Sequence, residues 1–131
     1  MILVTGGTGR IGNVLVKELN KKYGKVKVLI RAKSDLKPLN GFSCEYVYGD
    51  VLDKDSLERA VKDVDTIFHL AGIISISTHD EELTLNTNIQ GTKNIVDIAV
   101  EHDIPLIYTS SIHAINAPED GSLISEQTKL A

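Results

Sequence analysis

The chain opens on a short apolar run, Met1 to Thr5, that ends in glycines. Ile11, Val14, Leu15 and Leu19 then recur at helical spacing, with Lys17, Glu18 and Lys21 on the opposite face. That periodicity predicts an amphipathic helix, and Gly24 closes it as a glycine just past the last turn commonly does. Val26, Val28, Leu29 and Ile30 predict a second strand, and Cys44 to Tyr48 a third. From Asp53 to Asp63 the pattern is helical again: Asp55 and Glu58 have capping spacing, and Leu57, Ala60, Val61 and Val64 form an apolar stripe. Val64 to Leu70 predicts a fourth strand. A longer helix follows, about Leu85 to His102, with Thr92, Ile95, Val96, Ala99 and Val100 on one face. Pro105 lies just beyond it, and Leu106 to Thr109 predicts a fifth strand.

The strands are near-continuous apolar runs rather than alternating ones, and helices separate them. A strand buried on both faces has that composition, so the sheet is expected to be parallel and covered by helices on each side. Right-handed crossovers then lead to a doubly wound α/β sheet, a Rossmann fold of five strands in the order 3-2-1-4-5. No repeat, low-complexity stretch or linker interrupts the pattern, so residues 1–131 are expected to form a single domain. From Ser110 to Ala131 the periodicity fades into a loop with Asn116, Pro118, Asp120 and Gly121, a weakly structured tail over 110–131.

Composition narrows the field of functions. The 131 residues are 42% hydrophobic and 24% charged, enough apolar content for one buried core. Fourteen basic against eighteen acidic residues leave a net charge of −4, which gives no electrostatic footprint for nucleic acid or an anionic membrane. No apolar stretch approaches the roughly 18 residues of a membrane span, and the start MILVTGGTGR lacks a signal-peptide pattern. A cytoplasmic location is the expectation. The single cysteine, Cys44, fits a reducing compartment and reads as inert core. His69, His79, His102 and His113 show no metal-ligand spacing, so no metal site is expected.

The strongest motif is Thr5-Gly6-Gly7-Thr8-Gly9-Arg10-Ile11-Gly12, placed between the first strand and the first helix. Gly6 allows a tight turn, Gly9 lets the backbone approach a pyrophosphate, and Gly12 lets the helix pack close to the strand. Free amides at the helix start would then receive the phosphates of a dinucleotide. The residue that reads the adenosine ribose should end the second strand, about 20 residues beyond the turn. Arg31 stands there, followed by Lys33 and Ser34. A guanidinium, an ammonium and a hydroxyl suit a 2′-phosphate, which favours NADP(H) over NAD(H). The alternative leaves Arg31 and Lys33 as solvated loop cations, with Asp35 on the ribose.

With these motifs the chain resembles the extended short-chain dehydrogenase/reductases, a family of epimerases, dehydratases and dihydroflavonol-reductase-like enzymes. The resemblance covers nearly all of the chain but only the N-terminal, cofactor-binding half of a family member. Thr5 to Gly12 matches the family's TGxxGxxG turn. Gly49-Asp50-Val51 matches its GD(V/L) element, which implies that Asp50 bonds the adenine amino group and Val51 meets the ring. His69-Leu70-Ala71-Gly72 matches HxAG, which implies that the backbone of Leu70, Ala71 and Gly72 lines the cofactor. Asn88-Ile89-Gln90-Gly91-Thr92 resembles the start of the family's long helix, with Asn88 near the cofactor or anchoring that helix. Tyr108-Thr109-Ser110-Ser111 matches the strand end that carries a catalytic hydroxyl, here Ser111, with Ser110 as the runner-up. Each element has a plainer reading too: Asp50 as a turn cap, His69 as a core histidine, the serines as turn formers.

The family's proton transfer needs a tyrosine and a lysine spaced YxxxK on one helix face, where the ammonium lowers the phenol's pKa. The four tyrosines here are Tyr23, Tyr46, Tyr48 and Tyr108, and none begins such a pair on a helix. Tyr23 and Lys27 have the spacing, but Gly24 and the strand at Val26 separate them. Glu126 resembles an acid that precedes the missing segment. The expectation is therefore a C-terminally truncated, NAD(P)-binding portion of an oxidoreductase, inactive alone. The alternative is a non-catalytic NADP(H)-binding or sensing module acting through a partner. A small-molecule substrate is expected only in a complete enzyme, with the apolar, hydroxyl-rich loop from Ile73 to His79 bordering its nicotinamide end. An unpaired fifth strand and a partly uncovered long helix lead to the expectation of a homodimer.

Overall fold

The computed structural model describes residues 1–74, 81–118 and 120–130. Five strands, β1 (Ile2–Thr5), β2 (Val26–Ile30), β3 (Cys44–Tyr48), β4 (Thr66–His69) and β5 (Leu106–Tyr108), form one sheet in the order β3-β2-β1-β4-β5. Every pairing is parallel: Val4 lies beside Val28 on one flank and Phe68 on the other. The doubly wound architecture expected from the apolar runs is the one observed.

Helices α1 (Arg10–Tyr23), α2 (Lys54–Ala60) and α4 (Thr92–Glu101) cover the sheet, and a π-helical segment, Asn86–Gly91, joins the short helix α3 (Glu81–Leu85) to α4. Successive strand residues point to opposite faces, so each strand feeds two cores. Leu3, Leu29 and Ile67 pack with Leu57, Ile95 and Ile98 of α2 and α4. Val4, Val26, Val28 and Ile30 pack with Val16 and Leu19 of α1 and with Leu39. Each fully buried aliphatic side chain among these contributes about 1.5–3 kcal/mol.

Two helix faces differ from the periodicity reading. In α1 the buried line is Gly12, Val16 and Leu19, while Ile11 and Val14 are exposed. A Cβ on Gly12 would collide with the carbonyl of Gly6, and this close approach centres the buried face on the glycine. In α4 the buried residues are Asn94, Ile95, Ile98 and Ala99, with Val96 and Val100 exposed. The cap of α2 is Asp53 rather than Asp55: its carboxylate accepts from the amides of Asp55 and Ser56 at 3.1 and 3.3 Å. Strand β2 also buries Lys27, whose ammonium bonds the carbonyl of Lys62 and lies 3.5 Å from the Glu45 carboxylate.

Beyond β5 local contacts link some of the described residues. A 3₁₀ turn spans Ile112–Ala114, and Ile115 bridges antiparallel to Leu130. Asn116 reinforces the closure by donating its side-chain amide to the Leu130 carbonyl at 3.2 Å.

Candidate functional site

In a parallel sheet all strands end on the same edge, so the loops after β1, β2, β3 and β4 converge. They enclose a cleft of about 250 Å³. It sits where the strand order reverses between β1 and β4, the switch point at which open α/β sheets bind ligands.

Gly6, Thr8 and Gly9 form the floor. Gly6 has φ +72°, and a Cβ there would stand 2.6–2.7 Å from the backbone of Leu70 and Ala71. Only a glycine permits the turn and the end of β4 to approach that closely. Gly9 precedes α1, which has no side-chain cap and no acid in its first turn, so its leading amides and positive dipole end are left for an anion. Leu70, Ala71 and Gly72 form one wall, and Asp50 and Val51 another, with Arg31 and Ser34 at the mouth. The Arg31 amide donates to Ser34 Oγ at 3.1 Å, and the Ser34 amide donates back to the Arg31 carbonyl at 2.9 Å, fixing both on one tight turn.

Seven other residues singled out in the sequence stand off the cleft lining. Gly7 packs against Val28 and Val16, and Gly12 lies beneath Gly6. Arg10, Ile11 and Lys33 are exposed. Asn88 grips the loop after β4, with Oδ1 accepting from the Ile73 amide and Nδ2 donating to the Ile73 carbonyl, both at 2.8 Å. Ser111 is exposed and caps the 3₁₀ turn, accepting from the His113 amide at 3.2 Å. Of the stretch Ile73 to His79, residues 75–79 lie outside the described residues.

The structure also brings in residues the motifs did not single out: Leu29, Leu52, Leu83 and Thr87, the last two from α3 and the π-helical segment. Thr5, Gly49 and Ile73 complete the lining. Behind the wall, the Ser56 hydroxyl accepts from the Asp50 amide at 3.0 Å and donates to the Asp53 carbonyl at 2.8 Å. The Asp50 carboxylate accepts from the Leu52 amide at 3.0 Å. Asn94, buried in α4, donates to the Val51 carbonyl at 2.9 Å and accepts from Gln90 at 2.8 Å. A polar residue inside an otherwise apolar helical stripe was the available signal for both Ser56 and Asn94.

His69 is fully buried at the end of β4. Its Nδ1 lies 2.7 Å from Thr5 Oγ1, and its Nε2 lies 3.2 Å from Thr92 Oγ1. Thr5 Oγ1 also accepts from the Ala71 amide at 3.2 Å, and among the described residues Nδ1 is the one acceptor within reach of its own hydrogen. That arrangement assigns the ring proton to Nε2, donated to Thr92. Burial holds the imidazole neutral by lowering its pKa to about 4 from an ordinary 6.5.

A doubly wound parallel sheet with a glycine turn and an open helix N-terminus at its switch point defines a Rossmann-type ligand-binding domain. The chain belongs to the 3-beta hydroxysteroid dehydrogenase/isomerase family of extended short-chain dehydrogenase/reductases, whose model matches residues 3–129. It is 33% identical over 92% of its length to sterol demethylase protein B of Methylococcus capsulatus, and spans 37% of that protein. A putative dihydroflavonol 4-reductase of Synechocystis is 36% identical over 94% of the chain, which spans 36% of it. Among solved structures, a short-chain dehydrogenase/reductase superfamily protein from Agrobacterium tumefaciens with bound NAD superposes with a TM-score of 0.82. It is 29% identical, and the match covers 100% of this chain and 39% of that one. The chain thus spans well under half of the proteins it matches. Among the described residues no helix is long and apolar enough to cross a membrane.

Proposed function

We propose that this chain is the dinucleotide-binding portion of an NAD(P)-dependent epimerase, dehydratase or reductase, and that it takes NADP(H) in preference to NAD(H). The supporting observation is the cleft itself. Gly6 and Gly9 leave room for backbone approach to a pyrophosphate, and the unacidic start of α1 offers amides to it. The neighbour with bound NAD carries the same fold over the whole chain. Within that cleft Asp50 and Val51 would hold the adenine, and the Leu70–Gly72 backbone would border the ribose and nicotinamide. The preference for a 2′-phosphate rests on Arg31 and Ser34, which share one turn at the mouth and both line the cleft. Lys33 adds charge from the adjacent exposed position.

A bound nicotinamide would supply hydride exchange with a substrate carbon. Proton transfer needs a partner these 131 residues do not provide, because no tyrosine follows Tyr108. Ser111 is the candidate substrate-facing hydroxyl, and a substrate would meet it only in a complete enzyme. Carried alone, the chain binds without turning over; NADPH-dependent carbonyl reduction by these residues alone would overturn that. We also infer that the exposed apolar residues of the long helix and β5 carry a homodimer contact.

Calorimetric titration with NADP⁺ and with NAD⁺ tests the cofactor reading. NADP⁺ is expected to bind more tightly, and Arg31→Glu to reverse the order by removing a cation and repelling the 2′-phosphate. Two or more charge-assisted bonds are at stake, so the preference should change by roughly 100-fold. Equal affinities in wild type would overturn the preference, and absence of binding to both would overturn the cofactor reading.

A further inference from the structure

We propose that His69 is a positioning residue of the cleft: one neutral imidazole holds the glycine turn, the loop after β4 and the long helix in the arrangement that binds a dinucleotide. This rests on the reading of the cleft as a dinucleotide site. His69 and Thr92 do not line the cleft, yet their bonds end on groups that do. Through Nδ1 the ring fixes Thr5, the residue before Gly6, and through Thr5 Oγ1 it fixes the Ala71 amide on the opposite wall. Through Nε2 it fixes Thr92, which directly follows the π-helical segment that carries Thr87 into the lining and Asn88 onto Ile73. Tyr108 of β5 stacks on the ring at 5.8 Å, closing its remaining side.

The hydrogens run one way along this relay: Ala71 N–H to Thr5 Oγ1, Thr5 O–H to Nδ1, Nε2–H to Thr92 Oγ1. Protonating Nδ1 reverses the middle bond and leaves the Thr5 hydrogen to find another acceptor. Thr5 from β1 and Thr92 from α4 face the ring with neutral hydroxyls, and among the described residues Tyr108 from β5 is the one titratable group packed on it. Burial alone accounts for its lowered pKa, with no charged neighbour contributing. The relay therefore works only with a neutral ring, and cofactor binding must favour that state. By linkage, saturation with dinucleotide lowers the His69 titration midpoint further.

The test uses the intact chain, labelled with ¹⁵N in its histidines. Imidazole spectra should show His69 with its proton on Nε2, and a midpoint that falls when NAD⁺ or NADP⁺ is saturating. Thr92→Val, remote from the ligand, should weaken binding about tenfold, the scale of one orphaned buried donor. Thr92→Ser should restore affinity to within about threefold, because it keeps the hydroxyl. An unmoved midpoint with dinucleotide bound overturns the proposal while leaving the cofactor reading intact. So does wild-type affinity in Thr92→Val. Failure of wild type to bind either dinucleotide overturns both. Should Thr92→Val not fold, the wild-type titration still decides.

Discussion

Ser56, His69 and Asn94 are buried polar side chains within stretches that read as apolar, and each is bonded to groups that border the cleft. An unpaired polar group in such a place would cost about 1–3 kcal/mol, so their partners define them as much as their own chemistry does. For His69 and Asn94 those partners lie far along the chain, as Val51 does from Asn94, and local spacing carries no trace of them. Gly6, by contrast, was legible, because a glycine turn between strand and helix leaves few backbone solutions. His69 has a consequence for stability that can be signed. Its folded pKa, about 4, lies below the ordinary 6.5, so between these values the unfolded chain takes up a proton that the native one refuses. The stabilisation is fully present above pH 6.5 and is lost as pH falls toward 4. By pH 5 denaturant unfolding should show a loss of about 2 kcal/mol relative to pH 7.5. Equal stability at the two pH values would mean that the ring is charged in the folded protein.

All five strands lie where the apolar runs placed them, and β2, buried at every position, announces itself in composition alone. The helices were legible in existence and less so in phase. The lines through Ile11 and Val14, and through Val96 and Val100, face outward, because close approach at Gly12 and Gly91 sets which side meets the sheet. The long helix begins at Glu81, before the apolar stripe starts, and changes to π geometry over Asn86–Gly91, which no periodicity of 3.6 foretells. Gly91 packs closely on the loop after β3: a Cβ there would stand 2.6 Å from Val51 Cγ2. Replacing glycine by alanine in a helix normally gains about 1 kcal/mol, whereas overpacking a core costs about 1–3 kcal/mol. Val51 is buried, β-branched and tied through its carbonyl to Asn94, so it has little room to yield. Gly91→Ala should therefore lower the melting temperature and weaken dinucleotide binding together. A higher melting temperature would show that Val51 gives way.

Taken whole, the molecule leaves apolar side chains uncovered on α1, where Ile11 and Val14 are exposed, and at the other end of the sheet. There Val96, Val100, Ile107 and Tyr108 stay exposed on the side of α4 and β5. If those residues carry the homodimer contact, light scattering at micromolar concentration should give twice the monomer mass, and Val100→Lys should return it to 14.3 kDa. A monomeric wild type would remove that reading. The strand order has a further consequence, for a chain made from its N-terminus. β1 emerges from the ribosome before the other four strands, yet Ile2 to Thr5 wait for Thr66 to His69 to complete their second flank. Until about half of these residues have been synthesised, the central strand of the finished sheet remains an open edge. The nascent chain is then most in need of shelter, and a pause in translation before β4 would lengthen that exposure.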